Sequence, residues 1–278
     1  MNIRIFRNIG LVAGLLLFSA AMAHSEEDGP YGEYYEGGRS KMETNYKNGS
    51  LNGPFREYYP SGKISGVGTY KDGRINGICK SYYENGSVQF EKNFANGQLD
   101  GLVREYYDNE HLKTEEHYRA NSLDGISKHF YENGNPQYFF QYKSGVLEGL
   151  SKEFDEAGGL KTEISYKNDQ MNGFTKEYEN GRLKTASLYV NGEKHGESKT
   201  FYENGQAEWV LNFKAGEIEG PARRYSKDGH LMLEANYKTG QYNGLIKEYY
   251  PSGHLKNKCR YADGKQVSCQ DHPEEPLK

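Results

Sequence analysis

The chain is poor in several residue types and patterns that common functional classes require. Its 278 residues include one tryptophan and three cysteines, and no stretch after residue 23 approaches 18 consecutive apolar residues. A membrane-spanning helix in that part of the chain is therefore excluded. The C-x9-C spacing of Cys259 and Cys269 fits no zinc-site pattern. Basic residues are not in excess, since the formal net charge is -4. This charge argues against nucleic acid as the main partner.

The N-terminal residues have the layout of a secretory signal peptide. Arg4 and Arg7 precede an apolar run over residues 9–20, and a small-residue site ends at Ala23. We predict cleavage after Ala23, which gives residues 1–23 as the signal peptide and a secreted or periplasmic location in a bacterial envelope. The mature chain would carry 33 basic and 39 acidic residues, a net charge of -6. The alternative is an uncleaved membrane anchor.

The rest of the chain consists of repeats of one unit. The stretch GICKSYYENGSVQFEKNFANGQLD, residues 77–100, recurs over residues 29–267 with a step of 24 residues, and once of 23. A polar tail, residues 268–278, follows, and we expect disorder beyond Cys269. The ten units begin at Gly29, Gly53, Gly77, Gly101, Gly125, Gly149, Gly173, Gly196, Gly220 and Gly244.

Aromatic residues and glycines recur at fixed places of the unit, counted from its first glycine. The sixth and eighteenth places are aromatic in every unit, as in Tyr58 and Tyr70 of the second. Turn glycines occupy the tenth and twenty-first places. At the twenty-first, the exceptions Asn121 and Asp169 are residues that tolerate a positive φ, so we expect that conformation there. Glu110 replaces the tenth-place glycine of the fourth unit, where we expect the least regular turn.

Between the turns, apolar and polar residues alternate with the period of a β-strand, as from Ala207 to Phe213. Each unit therefore predicts two short antiparallel strands. The predicted fold is all-β: an elongated single-sheet array of about ten stacked β-hairpin repeats connected as an antiparallel meander. Ten hairpins at about 10 Å each would give a twisted ribbon roughly 90 to 100 Å long. No single unit can bury its aromatic face, so stability should come from stacking.

Tyrosine at the seventh place is a candidate binding feature, because adjacent strand residues point to opposite faces and these rings lie opposite the sixth-place aromatics. Two interpretations are open: a stripe that binds a partner, or aromatic cover for the second face of a single sheet. The row consists of Tyr35, Tyr59, Tyr83, Tyr107, Tyr131, Tyr202 and Tyr250.

A second candidate is the basic fourth place. Its side chains could form a linear track for an anionic polymer or lipid headgroups, or their stems could cover the neighbouring rings. The second interpretation is favoured, because fifth-place glutamates such as Glu57 and Glu105 follow directly and reduce the field. The row is Arg56, Lys80, Arg104, Lys128, Lys152, Lys176, Lys199, Arg223 and Lys247.

No arrangement of residues indicates chemistry. Every glycine after residue 23 belongs to the repeat, so no phosphate-binding loop is indicated, and no acidic pair stands apart from the repeat. We therefore expect no catalytic residue, metal or cofactor, and no enzyme. In an oxidising compartment Cys259 and Cys269 could form a disulfide and leave Cys79 free. The alternative is three small buried thiols.

The unit GxxKxYYxNGxLxxxxxYxNGxxxG resembles the variant MORN repeat of bacteria, and the resemblance covers residues 29–267. It implies short β-hairpins stacked into an extended sheet. Proteins similar to this one are often labelled antitoxins of toxin–antitoxin systems, and MORN repeats at large are associated with protein scaffolding and membrane lipids. The signal peptide departs from a cytoplasmic antitoxin. The resemblance brings no catalytic residues.

These features together favour a non-enzymatic secreted or periplasmic scaffold that binds another protein along its sheet. The resemblance adds an antitoxin-like role as one form of that binding. The alternative is a module that binds glycan, peptidoglycan or anionic lipid headgroups of the cell envelope. Aromatic wall-binding repeats rely on tryptophan, whereas this chain has only Trp209.

Overall fold

The structure, a computed structural model, describes residues 27–274, and that part of the chain contains strands and turns but no helix. It forms one open sheet of 27 strands, which confirms the all-β prediction. The described residues thus include no helix long and apolar enough to cross a membrane. The predicted signal peptide, residues 1–23, lies outside the described residues.

The first, second, fifth and ninth repeats each contribute a six-residue strand before the tenth-place turn, an eight-residue strand after it, and a two-residue strand after the second turn; in three places the strand after the second turn continues unbroken into the next repeat. The strands are β1 Gly29–Tyr34, β2 Ser40–Lys47, β3 Ser50–Leu51, β4 Gly53–Tyr58, β5 Ile64–Lys71, β6 Arg74–Ile75, β7 Gly77–Tyr82, β8 Val88–Ala95, β9 Gln98–Tyr106, β10 Leu112–Arg119, β11 Ser122–Leu123, β12 Gly125–Phe130, β13 Pro136–Lys143 and β14 Val146–Leu147. They continue as β15 Gly149–Phe154, β16 Leu160–Lys167, β17 Gln170–Glu179, β18 Arg182–Val190, β19 Glu193–Phe201, β20 Ala207–Lys214, β21 Glu217–Ile218, β22 Gly220–Tyr225, β23 Leu231–Lys238, β24 Gln241–Tyr242, β25 Gly244–Tyr249, β26 Leu255–Ala262 and β27 Lys265–Asp271.

All strand pairs are antiparallel, and each eight-residue strand lies between the six-residue strands of its own and the next repeat. In the second repeat, Phe55 lies opposite Gly68, so the third place faces the sixteenth. The fourth place faces the fifteenth twice, as Arg104 does with Glu115 of its own repeat and Glu91 of the preceding one. A one-residue bulge follows the fifth place, as between Glu57 and Tyr58.

The turns have the conformation expected from the sequence. Asn121 and Asp169, which replace glycine at the twenty-first place, have φ of 66° and 62°. Glu110 at the tenth place also has a positive φ of 67°, and its N–H donates to Tyr107 O at 3.1 Å. This is the longest of the equivalent turn bonds in the described residues, since the others are 2.8 to 3.0 Å. The fourth turn therefore keeps the common form with a slightly weaker bond.

The core lies on one face of the sheet, at the third, fourteenth, sixteenth, eighteenth and twenty-third places. Phe55, Tyr70 and Ile75 form one buried cluster, and equivalent clusters form around Ile164 and Ala235. The eighteenth-place aromatics thus belong to the core. The sixth-place aromatics do not, because the register puts them on the opposite face; Tyr34, for example, is 65% exposed.

Close packing around Phe55 explains a glycine within a strand. A Cβ atom added to Gly68 would lie 2.6 Å from Phe55 Cε1 and would also collide with Cys79 Sγ. The sulfur of Cys79, a free cysteine, therefore occupies part of the core, and burial raises the pKa of its thiol.

The last hairpin is closed by a disulfide. Cys259 on β26 lies directly opposite Cys269 on β27, and their sulfur atoms are bonded. Disorder was expected beyond Cys269, but β27 continues to Asp271, and His272 N–H donates to Lys256 O at 2.7 Å. The expectation was wrong for these residues because their backbone finds hydrogen-bond partners on β26.

Candidate interaction surface

The face opposite the core carries the second, fourth, sixth, fifteenth and seventeenth places, and we call it the charged face. Its side chains form three parallel rows along the array. The central row joins fourth-place cations to fifteenth-place residues, and it is flanked by the sixth-place aromatics on one side and the second-place residues on the other. Strand alternation alone produces this arrangement.

The central row is a zigzag of ion pairs. Glu91 lies 2.5 Å from Lys80 Nζ and 3.9 Å from Arg104. Arg104 continues to Glu115 at 3.0 Å, and Glu115 to Lys128 at 2.9 Å. Five alternating charges thus connect three repeats. The same pattern recurs as Lys152–Glu163–Lys176 and as Arg223–Glu234–Lys247.

These ion pairs change the charge presented by the predicted cationic row. The hydrogen bond from Lys80 holds the pKa of the Glu91 carboxyl below its usual range, and that from Lys128 does so for Glu115. Both glutamates are therefore ionised at neutral pH and neutralise their cations. Surface pairs of this kind contribute about 0 to 1 kcal/mol each. The row therefore presents less positive charge to an anionic polymer than its cations alone would, although each ion-paired stretch keeps one more cation than glutamate.

The neutralising residues differ from those inferred from the sequence. Fifth-place glutamates lie on the core side and pair with thirteenth-place lysines, as Glu105 does with Lys113 at 2.7 Å. The glutamates that neutralise the row are at the fifteenth place, where an acid recurs in half of the repeats: Glu43, Glu91, Glu115, Glu163 and Glu234. The recurrence of these glutamates is visible in the sequence, but only the strand register shows that they lie opposite the fourth-place cations.

The zigzag has a gap in the seventh and eighth repeats. Lys199 lies opposite Val210 on its own hairpin and Ala186 on the preceding one. Its ammonium therefore pairs along its own strand with Glu197, at 2.7 Å. Arg56 lies opposite Val67 and Glu43.

The seventh-place tyrosines join successive repeats. Six of the seven hydroxyls donate to the carbonyl oxygen of the sixth-place residue in the next repeat, at 2.5 to 3.0 Å. The bonds run from Tyr35 to Tyr58 O, Tyr59 to Tyr82 O, Tyr83 to Tyr106 O, Tyr107 to Phe130 O, Tyr131 to Phe154 O and Tyr202 to Tyr225 O.

This regular bonding gives the tyrosine row a structural role. The rings are half-buried, and burial raises the pKa of the Tyr59 and Tyr107 hydroxyls. Tyr250 belongs to the tenth repeat, and the described residues contain no further repeat that could supply it with an equivalent carbonyl. That these tyrosines also contact a partner stays a prediction.

The second place carries an exposed row that the sequence interpretation missed. In five consecutive repeats it holds Ile78, Leu102, Ile126, Leu150 and Phe174, which we call the apolar row. Ile78 is 58% exposed, Ile126 51%, Leu150 45% and Phe174 64%, whereas Leu102 is half-buried. At about 10 Å per hairpin, the row extends roughly 40 Å.

Side chains of the seventeenth place separate the members of the apolar row. Ile78 lies opposite Asn93, Ile126 opposite Gln141, and Leu150 opposite Ser165. Asn93 Nδ2 donates to Leu102 O at 2.8 Å, which fixes one such spacer. The row therefore presents apolar side chains at a regular interval with polar groups between them. Glu197 takes the second place in the eighth repeat and ends the row.

Sheet, repeat and rows together define a class of protein: an open β-hairpin repeat array with one face packed as a core and the other free for contacts. The family model described as the MORN repeat variant matches residues 51–72, 75–96, 99–120, 123–144, 147–168, 194–206, 218–239 and 242–263. These segments make up more than half of the chain, which therefore belongs to the MORN repeat variant family, as its resemblance predicted. Among curated proteins, none matches the chain significantly.

Three solved structures illustrate what a structural comparison with the chain returns. It is similar to the crystal structure of TcdB2-TccC3-Cdc42 at 13% identity over 83% of this chain and 14% of that one, with a TM-score of 0.19. It is similar to the crystal structure of TcdB2-TccC3 without its hypervariable C-terminal region at 12% identity over 83% of this chain and 15% of that one, with a TM-score of 0.20. It is also similar to the structure of the Photorhabdus luminescens Tc holotoxin pore with a mutated TccC3, at 13% identity over 83% of this chain and 15% of that one, with a TM-score of 0.20. The chain spans about a seventh of these chains, and TM-scores this low carry no argument.

Proposed function

We propose that this repeat scaffold is a non-enzymatic protein that binds another protein through the apolar row on its charged face. The observation that carries the proposal is the recurrence of exposed Ile, Leu or Phe at one place in five successive repeats. Isolated exposed apolar residues are ordinary, but an aligned set indicates a contact surface. The predicted signal peptide supports a secreted or periplasmic location. An antitoxin-like role would need a toxin in that compartment.

The expected strength of such a contact is moderate. Burying a whole aliphatic or aromatic side chain stabilises by about 1.5 to 3 kcal/mol. Because Ile78, Ile126, Leu150 and Phe174 are about half exposed, each would contribute roughly 1 kcal/mol or somewhat more on burial. The flanking ion pairs and amides then supply specificity through the polar rim that protein interfaces need.

The alternative function is recognition of glycan, peptidoglycan or anionic lipid headgroups. It depends on the fourth-place cations, and most of these are paired with glutamates on the same face. The pairing reduces the field available for an anionic ligand. This observation favours the protein-binding function.

The test is affinity capture from a cell-envelope extract of the native host, with two matched variants as baits. One variant carries Ile126→Thr, Leu150→Thr and Phe174→Thr, which remove the centre of the apolar row. The control carries Ile64→Thr and Val190→Thr, which change residues of similar character that are each 40% exposed but lie outside the row.

We expect one stoichiometric protein with the wild-type and control baits and its loss with the row variant. Circular dichroism should show the same sheet content for all three baits. If the row variant captures the same protein as well as the wild type does, the apolar row is not the contact surface. Enrichment of glycan or lipid without a protein would support the alternative function instead.

A further inference from the structure

The seventh repeat, which has 23 residues, differs from the others at its first turn. At this point the third repeat reads YYENG over residues 82–86, whereas the seventh reads YENG over residues 178–181. The glutamate, asparagine and glycine of the common turn are all present in the seventh repeat. The residue that it lacks is therefore the seventh-place tyrosine, which joins successive repeats elsewhere in the array.

The shorter sequence forms a tighter hairpin. Glu179 pairs with Arg182, and the Asn-Gly pair between them has φ of 52° and 73°. Positive φ at both central residues defines a two-residue type I′ turn, which Asn-Gly favours. The third repeat has a wider turn, in which Tyr83 N–H donates to Ser87 O at 2.8 Å. The seventh hairpin thus lacks both the ring and part of the turn that occupy this place in the third.

A cavity of about 440 Å³ lies between the turns of the seventh and eighth repeats. Its volume is within the range of about 300 to 1,000 Å³ that is common for ligand sites. A ladder tyrosine packs between its own turn and the sixth-place residue of the next repeat, so the cavity lies where the missing ring would lie. We call it the notch, and its lining includes Glu179, Arg182, Leu183, Lys184, Phe201 and Tyr202.

The groups that contact a ladder tyrosine in other repeats are still present at the notch. Phe201 O is the equivalent of the carbonyl oxygens that accept from tyrosine hydroxyls, and in the described part of the chain no side chain donates to it. Lys113 Nζ lies 5.7 Å from the centre of the Tyr107 ring. Lys184 has the same thirteenth place in the seventh repeat and lines the notch. An incoming phenol ring would therefore find an acceptor for its hydroxyl and a cation for its face.

Two other repeats lack the tyrosine, but their seventh place is filled. Asp155 accepts from Gly159 N–H at 2.7 Å, and Ser226 Oγ accepts from His230 N–H at 3.2 Å. Both side chains thus bond within their own turns, which keep the full number of residues. The seventh repeat differs from these two because the residue itself is missing.

The charges around the notch favour an uncharged ligand. Lys184 Nζ lies 3.0 Å from a carboxylate oxygen of Glu179, and the two side chains are 52% and 61% exposed. Arg182 and Glu203 are further lining residues of opposite sign. Two cations and two anions therefore balance at the opening, so neither a phosphate nor an ammonium group has a net attraction to it. A phenol is neutral at physiological pH.

We propose that the notch binds a tyrosine side chain of a partner protein, whose ring takes the place of the missing ladder tyrosine and whose hydroxyl donates to Phe201 O. A phenylalanine ring would fill the same space but would leave this carbonyl without the bond that its equivalents accept. The notch lies at the turn edge and uses no residue of the apolar row. The proposal is therefore independent of the function proposed above.

The test is a titration of the full-length chain, expressed with export, with N-acetyltyrosinamide, followed by amide NMR shifts. N-acetylphenylalaninamide is the matched probe, because it lacks only the hydroxyl. One variant has a tyrosine inserted between Tyr178 and Glu179, which restores the YYENG sequence of the third repeat. A second variant has Tyr83 deleted, which gives the third repeat the YENG sequence of the seventh. Thermal unfolding of each variant checks that the fold persists.

We expect saturable shifts for residues 178–184 and 201–203 of the wild type, with Kd on the order of 1 mM. The phenylalanine probe should bind about fivefold more weakly or worse, because it cannot donate to the carbonyl. The insertion variant should lose these shifts, and the deletion variant should gain a second set near Tyr82 and Tyr106.

Three results would overturn the proposal: no saturable shift at the notch, equal affinity for the two probes, or unchanged binding by the insertion variant. A folded deletion variant without a second set of shifts would also contradict it, since the same turn sequence should then make the same site. If that variant does not fold, the insertion variant and the matched probes decide the question.

Discussion

The tyrosine ladder gives the sharpest prediction about stability. Replacing Tyr83 by Phe removes the hydroxyl that donates to Tyr106 O at 2.8 Å and keeps the half-buried ring. A net intramolecular hydrogen bond contributes about 0.5 to 1.5 kcal/mol, so we expect a loss of about 1 kcal/mol in the free energy of unfolding. The triple variant Tyr59→Phe, Tyr83→Phe, Tyr107→Phe should lose roughly 3 kcal/mol, since separated sites add approximately.

The matched control is Tyr250→Phe. Tyr250 occupies the same place in the tenth repeat, and among the described residues no further repeat supplies the carbonyl, so its change should stay within about 0.5 kcal/mol. Urea unfolding followed by circular dichroism compares the variants, and hydrogen exchange of the second to fifth repeats locates the loss, because a repeat array need not unfold in one step. If the triple variant unfolds like Tyr250→Phe, the ladder contributes nothing and the structural role assigned to these tyrosines is refuted.

Three further predictions follow from the packing, the ion pairs and the disulfide. Gly68→Ala should destabilise by about 1 to 3 kcal/mol through overpacking against Phe55. Gly66→Ala should be nearly neutral in the same thermal unfolding assay, because its Cβ would lie 3.0 Å from the terminal Oε2 of the Glu57 side chain and in ordinary contact with Lys80 O at 3.6 Å. The pKa of Glu115 is held low by Lys128 and Arg104, so its contribution to stability is present above the ordinary value of 4.5 and is lost as the pH falls through the lower folded value. Glu115→Gln should therefore lower stability at neutral pH and flatten its decline in acid; an unchanged acid profile would contradict the assignment. Cys259→Ser with Cys269→Ser should cost about 2.5 to 3 kcal/mol by loop entropy, and hydrogen exchange should show the loss in β26 and β27 while β4 to β9 stay protected.

Some of this architecture could be predicted from sequence because its requirements are local. The turns depend on a residue that accepts a positive φ, such as Asn121 or Asp169. The strands depend on alternation of apolar and polar residues, as from Ala207 to Phe213. Both signals can be read from one repeat at a time. The core was harder to locate. Its third place holds residues as different as Phe55 and Ser127, which are 3% and 1% exposed. The space available at this place depends on the neighbouring rings, so the residue type there does not identify it as part of the core.

The partners of the charged residues could not be read from spacing alone. Glu115 and Lys128 belong to different repeats, and they meet only because the register of β10 shifts between β11 and β12, which sets the fourth place against the fifteenth of the preceding repeat. The fifth-place Glu105 is nearer in sequence to the cation Arg104 but points to the other face. The apolar row could not be predicted for a related reason. One apolar residue per repeat indicates no surface until the strand register shows that the residues lie side by side on one face.

The central claim is that the apolar row, and not the cationic row, binds the partner. Isothermal titration of the captured protein against the wild-type chain and the Ile126→Thr, Leu150→Thr, Phe174→Thr variant, each at low and at physiological salt, tests it directly. We predict that the variant weakens Kd about tenfold or more and that salt changes Kd of the wild type by less than about threefold. Steep salt dependence together with an unchanged Kd for the variant would contradict the account and assign binding to the cations.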